Sequence, residues 1–561
     1  MNKFGLIFFF CFCYTLVKAQ TQKPFLAKVN ECFSKNELTS AGINFGTQIG
    51  DIITLKLTEE EFSSIENNLG IDYIQEARPV KPFIKRTLVD TKADSVHKGK
   101  DLKTGYSGKD VIIGITDWGF NYNHPNFYDT ALQETRILAA WDQFKISGPA
   151  PRQYGYGTEY EGASEILNAE KDTYNIYEWA THGTHVAGIA GGSGAGLGLK
   201  GVAYDANFLM VTFQANEASV LEGIEWMHEK SMEYGKRLVI NMSWGLYNMP
   251  SIDGTSLLSQ ALNKLSSEGV IFVTSGGNNG DVNFHIEKLF NNDTLRSQVD
   301  FYPFSAHPKM YGQRISVWGE RGKEFEVQME VMDVQFNTLF KSPIYSSSAT
   351  AYIPKAIWHL GPDTVEYQFL KQSIAGLSNQ PNAHLIVKNP SEKYRIVLKA
   401  WAKEGKVHCY NVTELTNNVG NWGMPFLASR SNWSGGDKQY GLGEPASTES
   451  VITVAAHSPK VVFNNGNIIY GNIANFSSVG PTIDERPKPD ISAPGVQVES
   501  SISAFTNRPY DQTNSVLYKA TFYPFARYSG TSMSSPAVAG VAALMLEANP
   551  SLTSQQVKDI I

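Results

Sequence analysis

Near the C-terminal end, Gly530-Thr531-Ser532-Met533-Ser534-Ser535-Pro536 runs into the small and apolar residues Ala537 to Leu546. A hydroxyl placed there sits in the positive field of a helix N-terminus, where free backbone N–H groups can hold a developing oxyanion. By itself such a serine is compatible with an ordinary helix cap. Three further motifs precede it. Val111 to Asp117 is an apolar run ending in a carboxylate, His182-Gly183-Thr184-His185 opens a helical stretch, and Gly276-Gly277-Asn278-Asn279-Gly280 presents an amide in a glycine-rich turn. Together they are the parts of nucleophilic acyl transfer: an attacking oxygen, a base, an anion to orient the base, and an oxyanion donor.

The order Asp117, His182, Asn278, Ser532 resembles that of the subtilisin-like serine peptidases, the subtilases of family S8. The resemblance implies that Ser532 is the nucleophile, His182 the general base, Asp117 its buried partner and Asn278 the oxyanion donor beside the Ser532 backbone N–H. It further implies that Ser243-Trp244-Gly245 and Ser275-Gly276-Gly277 line the pocket for the residue before the scissile bond. Two positions depart from the family. Trp118 stands where a hydroxyl residue usually bonds the carboxylate, and Trp244 stands where Leu is frequent. His182 and His185, three apart on a helix, are also the spacing of a metal pair, but no Glu lies between them and no third ligand cluster is evident. His185 therefore reads as a packed histidine, and no catalytic metal or other cofactor is expected. Calcium often stabilises members of the family, yet there is no EF-hand loop and the sequence assigns no calcium ligands.

Positioning these groups requires strands and helices in alternation. Val111–Thr116, Phe208–Phe213, Leu238–Met242 and Val270–Thr274 are short apolar runs, and Ala218–Tyr234 and Ser256–Ser267 have helical spacing. The pattern predicts an α/β fold with a mostly parallel, doubly wound sheet, whose strand ends gather the functional groups. Asp117 and Asn278 follow two of the predicted strands. The catalytic domain is expected in two parts, 99–282 and 436–561, around an inserted all-β sandwich at 283–435. Within that insert Glu324 to Val334 alternates strictly, and Ile315–Trp318 and Tyr394–Trp401 also read as strands. Some subtilases carry a jelly-roll between the oxyanion Asn and the nucleophile, and the insert resembles that arrangement. Tyr154 to Tyr160, in the long connection before His182, reads equally as a cleft wall or a surface loop.

Lys3 followed by apolar Phe4 to Val17 and the small-residue pattern Val17-Lys18-Ala19 reads as a secretory signal peptide over 1–19. Residues 20–98 read as a small α+β unit: a strand at Asp51–Leu57, a helix at Thr58–Leu69 opened by a Thr58/Glu61 capping box, and a strand at Ile71–Ile74. That unit resembles a subtilase propeptide, with a permanent N-terminal domain as the alternative, and Lys85 to Lys103 reads as a processing linker. Of the four cysteines, Cys11 and Cys13 lie in the signal segment, which leaves only Cys32 and Cys409. Two thiols are no disulfide scaffold, so the core must rest on packing. A length of 561 residues and 42% hydrophobic content suit a globular protein with a full core. The resemblance implies an exported zymogen acting on protein or peptide substrates. Nucleic-acid binding and a membrane span are not expected. The sequence is silent on oligomeric state. The helix capped by Thr553 and Gln556 stops after about two turns at Ile561, so a continuation beyond that residue is expected.

Overall fold

The computed structural model describes residues 22–561 apart from 41, 59–60, 63–64, 66–69, 77–83, 174–179, 248–251, 303–309, 349–352, 372–378, 390, 416–421, 460, 463–467, 470 and 507–508. The signal segment at 1–19 lies outside the described residues. The chain divides into two compact units, Met1–Lys81 and Pro82–Ile561.

The first unit is a four-stranded antiparallel sheet. Its central strands, Lys23–Val29 and Ile52–Leu57, pair with each other and are flanked by Ile71–Glu76 and Asn44–Ile49. Alternate residues Phe25, Ala27, Val29 and Ile53, Leu55, Leu57 are buried with Leu38 and Ile65 in one apolar cluster. The capping box is present: Thr58 N–H donates to Glu61 Oε2 at 2.6 Å, and Glu61 N–H donates to Thr58 Oγ1 at 3.2 Å. The strand order matches a split β-α-β arrangement.

The unit ends at Lys81, earlier than residue 98. The polar run expected as a linker instead forms helices Ile84–Asp90 and Ala93–His97 within the second unit. Its Ala93 is buried in the core of that unit, Leu88 and Val96 pack against the same core, and His97 Nε2 meets the Val202 carbonyl at 2.7 Å. Burial of those groups outweighs the polar composition.

The second unit is built on an eight-stranded sheet. Across it the strands run Ile491–Pro494, Ile452–His457, Ile271–Ser275, Arg237–Met242, Val111–Asp117, Asn207–Thr212, Ile137–Asp142 and Thr158–Glu161. All neighbours are parallel except the last pair. Both faces are covered, so the central strands are largely apolar and successive residues serve opposite cores. Ile113, Ile115 and Val239 join Val186, Ala190, Met533 and Ala537 in one cluster, whereas Ile112, Leu238 and Ile240 join Ile224, Met227 and Leu262 in the other. Helices His182–Gly191 and Thr531–Ala548 therefore share one face, and Glu217–Glu233 and Leu257–Ser267 the other. The chain proceeds outward in one direction from Val111–Asp117 and then returns to its other side at Arg237–Met242. That reversal opens a crevice at the carboxyl ends of these strands. The Tyr154–Tyr160 segment leads into the antiparallel edge strand, with the Tyr154 and Tyr156 rings against Trp141.

The insert is all antiparallel and belongs to the same compact unit as this sheet. Its spine, Arg395–Leu415, pairs along one side with His285–Val299; along the other it pairs first with Glu326–Met332 and then with Met310–Gly319. The switch falls near Gly405, whose φ of 97° gives the bend a left-handed backbone geometry. Phe325, Val327, Met329 and Val331 are buried with Ile315, Val317, Ile396 and Leu398 in a single cluster, as the alternating pattern requires. Cys32 and Cys409 are both free thiols, the first exposed and the second buried.

Candidate active site

Asp117 is the last residue of the strand from Val111 and is fully buried. His182, 7% exposed, is the first residue of its helix, and its Nδ1–H donates to Asp117 Oδ1 at 2.7 Å. The motif residues around the histidine dock the two elements. Gly183 N–H donates to the Trp118 carbonyl at 2.6 Å, and a Cβ on Gly183 would meet the Phe120 ring at 2.7 Å. Thr184 Oγ1 donates to the Gly119 carbonyl at 2.7 Å and accepts from Asn121 N–H at 2.9 Å. His185 is buried, with Nε2 against the carbonyls of Val498 and Ala526 at 3.1 and 3.2 Å. Burial pushes its imidazole down to about 3, so it stays neutral as a packing group.

The Asp117 carboxyl is raised, chiefly by burial and against the opposing charge and hydrogen bond of His182. Its Oδ1 also accepts the Trp118 backbone N–H at 2.8 Å, but Oδ2 has no hydrogen-bond partner. Trp118 brings a plane instead of a hydroxyl. Its ring stacks on His182 with centroids 4.9 Å apart and an interplanar angle of 11°.

Ser532 lies in the first turn of Thr531–Ala548 and is half-buried. Pro536 has no N–H to give the Ser532 carbonyl, which is four residues back and would otherwise be its helical acceptor. Ser243 Oγ supplies that hydrogen bond at 3.0 Å. Asn241 Nδ2 donates to Ser243 Oγ at 2.9 Å, while Asn241 Oδ1 accepts from Ser535 Oγ at 2.6 Å. The strand end Asn241–Ser243 thus grips the start of the helix that carries Ser532, a role that sequence reading did not assign to Asn241. The Ser532 hydroxyl itself donates to the Ser243 carbonyl at 3.2 Å, not to His182.

Asn278 follows the strand Ile271–Ser275 and is exposed. Its Oδ1 accepts both the backbone N–H and the hydroxyl of Thr531, each at 2.9 Å. The Thr531 hydroxyl in turn accepts Gly277 N–H at 3.1 Å. This clamp commits the amide oxygen to the helix N-terminus and leaves the NH2 group as the donor end. Gly277 has φ of 105°, and a Cβ there would meet Ser478 Oγ at 2.8 Å. Ser243, Trp244, Gly245, Ser275, Gly276 and Gly277 all line one open cleft with Asn278 and Ser532. Trp244 is 8% exposed, and its Nε1–H donates to Thr116 Oγ1 at 3.1 Å, so most of the indole is spent on the core.

A further positioning group went unnoticed in the sequence. Asp172 Oδ2 accepts Gly119 N–H at 2.7 Å, Phe120 N–H at 3.1 Å and Thr212 Oγ1 at 2.8 Å, joining the backbone after Asp117 to the neighbouring strand. Burial, with the charge of Asp142 adding to it, pushes this carboxyl up to about 7. Only spatial convergence marks Asp172; no local motif surrounds it. Among the described residues, no group of three His, Cys, Asp or Glu side chains converges as metal ligands would.

The subtilase family model matches residues 108–313 and 372–561. Its interruption falls inside the insert and is shorter than the 283–435 span read from strand pattern. The minor extracellular protease Vpr of Bacillus subtilis is 25% identical over 475 residues, 82% of this chain and 48% of Vpr. Serine protease AprX of the same organism is 39% identical over 128 residues, covering 23% of this chain and 27% of AprX. The chain thus spans about half the length of Vpr and less of AprX. The solved structure of the Clostridium perfringens CspB protease shares the fold, with a TM-score of 0.59, 21% identity and coverage of 84% of this chain and 90% of that one. With matched segments that make up well over half of its 561 residues, this chain belongs to the subtilase family.

Proposed function

We propose that the chain is an exported serine endopeptidase that cleaves peptide bonds through an acyl-enzyme, with Ser532 as nucleophile, His182 as base and then acid, and Asp117 as the anion holding the imidazole. The observation that carries this reading is the 2.7 Å Asp117–His182 bond beside a cleft that contains Ser532 and the clamped Asn278. Asp117 accepts Nδ1–H, which leaves His182 Nε2 as the basic nitrogen. On substrate binding the Ser532 hydroxyl exchanges the Ser243 carbonyl for that nitrogen, in keeping with the looser catalytic hydrogen bonds of unliganded sites. The tetrahedral oxyanion is held by the Asn278 amide and the backbone N–H of Ser532 at the helix N-terminus.

The N-terminal unit acts as a propeptide and makes the chain a zymogen, a role supported by its separation from the second unit at Lys81 and its own apolar cluster. Export rests on the apolar segment at 4–17 and on the extracellular description of Vpr. Among the described residues, no helix is long and apolar enough to cross a membrane.

The test is fluorophosphonate labelling of residues 20–561 beside a Ser532→Ala control, read by intact mass. Label on the wild type alone, before or after trace proteolysis of the N-terminal unit, is the expected result. A folded wild type that takes no label in either state would overturn the assignment.

A further inference from the structure

The insert leaves the main sheet directly after the Asn278 turn, and its last segment comes back to the same place. Phe426 N–H donates to the Asn283 carbonyl at 2.9 Å, and Gly423 N–H donates to Asn279 Oδ1 at 2.9 Å. Trp422 is held in register by its own carbonyl, which accepts Thr413 N–H at 2.8 Å from the insert's long spine strand. Thus positioned, half-buried Trp422 lines the cleft that also contains Ser243, Gly245, Gly277, Asn278 and Ser532. Tyr247, on the same lining, packs on Phe284 and Tyr410 of the insert at 5.3 and 6.4 Å between centroids. Its hydroxyl is satisfied by the Gly441 carbonyl at 2.5 Å.

We propose that the inserted β-domain is a specificity element of the active site, with Trp422 forming a wall of the subsite for the residue before the scissile bond. The subsite selects an uncharged, flat apolar side chain over a small or charged one. This rests on the proposed peptidase reading. Charge selection lacks an available partner among the described lining residues, which include no Lys, Arg or Asp. The one acidic member, Glu444, is fully buried, and its carboxyl receives the hydroxyls of Ser259, Ser447 and Thr448 at 2.6, 3.0 and 3.3 Å. Aromatic walls, of which Tyr247 packs on rings of the insert, favour a ring by contact area and by offset stacking. The Asn279–Gly423 hydrogen bond couples that wall to the turn carrying Asn278, so substrate recognition and oxyanion binding share one support.

The experiment measures phosphonylation rates of Ser532 by peptidyl phosphonates that differ only in the residue before the phosphorus: Phe, Ala or Arg. Plain fluorophosphonate labelling establishes a competent serine in each variant. In the wild type the Phe reagent should react faster than the Ala and Arg reagents. The Phe-to-Ala rate ratio should fall by about tenfold in Trp422→Ala and be largely kept in Trp422→Phe. Equal slowing of all three reagents, or an unchanged ratio in Trp422→Ala, overturns the inference. Absence of plain fluorophosphonate labelling in the wild type would instead remove the peptidase reading beneath it.

Discussion

Asp117 bonds His182 through one oxygen and leaves the other without a donor. Trp118 brings no side-chain hydroxyl to that oxygen; its ring lies flat on the imidazole instead. Stacking of this kind contributes about 0.5–1.5 kcal/mol, enough to fix a ring orientation. Trp118→Ala should therefore lower kcat by about two- to tenfold with little change in KM, because the lost contact touches the base and not the cleft. A pH–rate profile on one peptide substrate checks this; an unaltered kcat across the profile would show that His182 is oriented by Asp117 alone. The motif serine, histidine and asparagine were legible because each brings its own local requirements. Gly183 admits the Trp118 carbonyl and the Phe120 ring, Pro536 releases the Ser532 carbonyl, and Gly277 takes a left-handed turn. Trp118 was legible only as a departure, since stacking between residues 118 and 182 has no sequence pattern.

At the level of elements, the site depends on the ends of the strands at Val111–Asp117, Asn207–Thr212 and Arg237–Met242. Asp172 ties the first two together through three donors to one oxygen. Its folded pKa of about 7 lies above its ordinary 3.8, so the folded chain binds this proton more tightly than the unfolded chain. The contribution is then complete below the ordinary value and is lost as pH rises through the folded one. Asp172→Asn, which keeps an acceptor but cannot ionise, should flatten the decline of thermal stability between about pH 4 and 7. Melting temperatures of both proteins across that range provide the comparison; parallel curves would assign the decline to other groups. The main strands and helices were readable because apolar runs and capping residues signal them locally. Asn216 and Ser256 cap their helices, and the four strands predicted for the main sheet fall within one residue of those observed. The first strand, helix and second strand of the N-terminal unit went unread: their segments are short and mix polar with apolar residues.

On the scale of the molecule, two units of unequal size share one chain. The smaller has a single apolar cluster under a four-stranded sheet, and small domains bury a lower fraction of their surface on folding. Amides of Lys23–Val29 and Ile52–Leu57 should therefore exchange with deuterium faster than those of Val111–Asp117 and Arg237–Met242. Exchange followed by mass spectrometry tests this, and equal protection would mean that the small sheet draws stability from beyond its own core. The insert differs from the N-terminal unit in belonging to the large unit, where Asn279 and Trp422 join it to the cleft.

By itself the sequence determined the family and the parallel sheet and singled out Asp117, His182, Asn278 and Ser532 as candidates, because strands, caps and close-packed glycines impose their demands within a few residues. Tertiary structure decided what lies between distant segments. It placed Asp172 against the backbone after Asp117, Asn241 against Ser535, and Trp422 in the cleft that contains Ser532. It also ended the first unit at Lys81, with Ala93 buried in the core of the second and Leu88 and Val96 packed against it. Such contacts follow from which surfaces meet when the sheet, its helices and the insert pack together, and no run of neighbouring residues encodes that meeting.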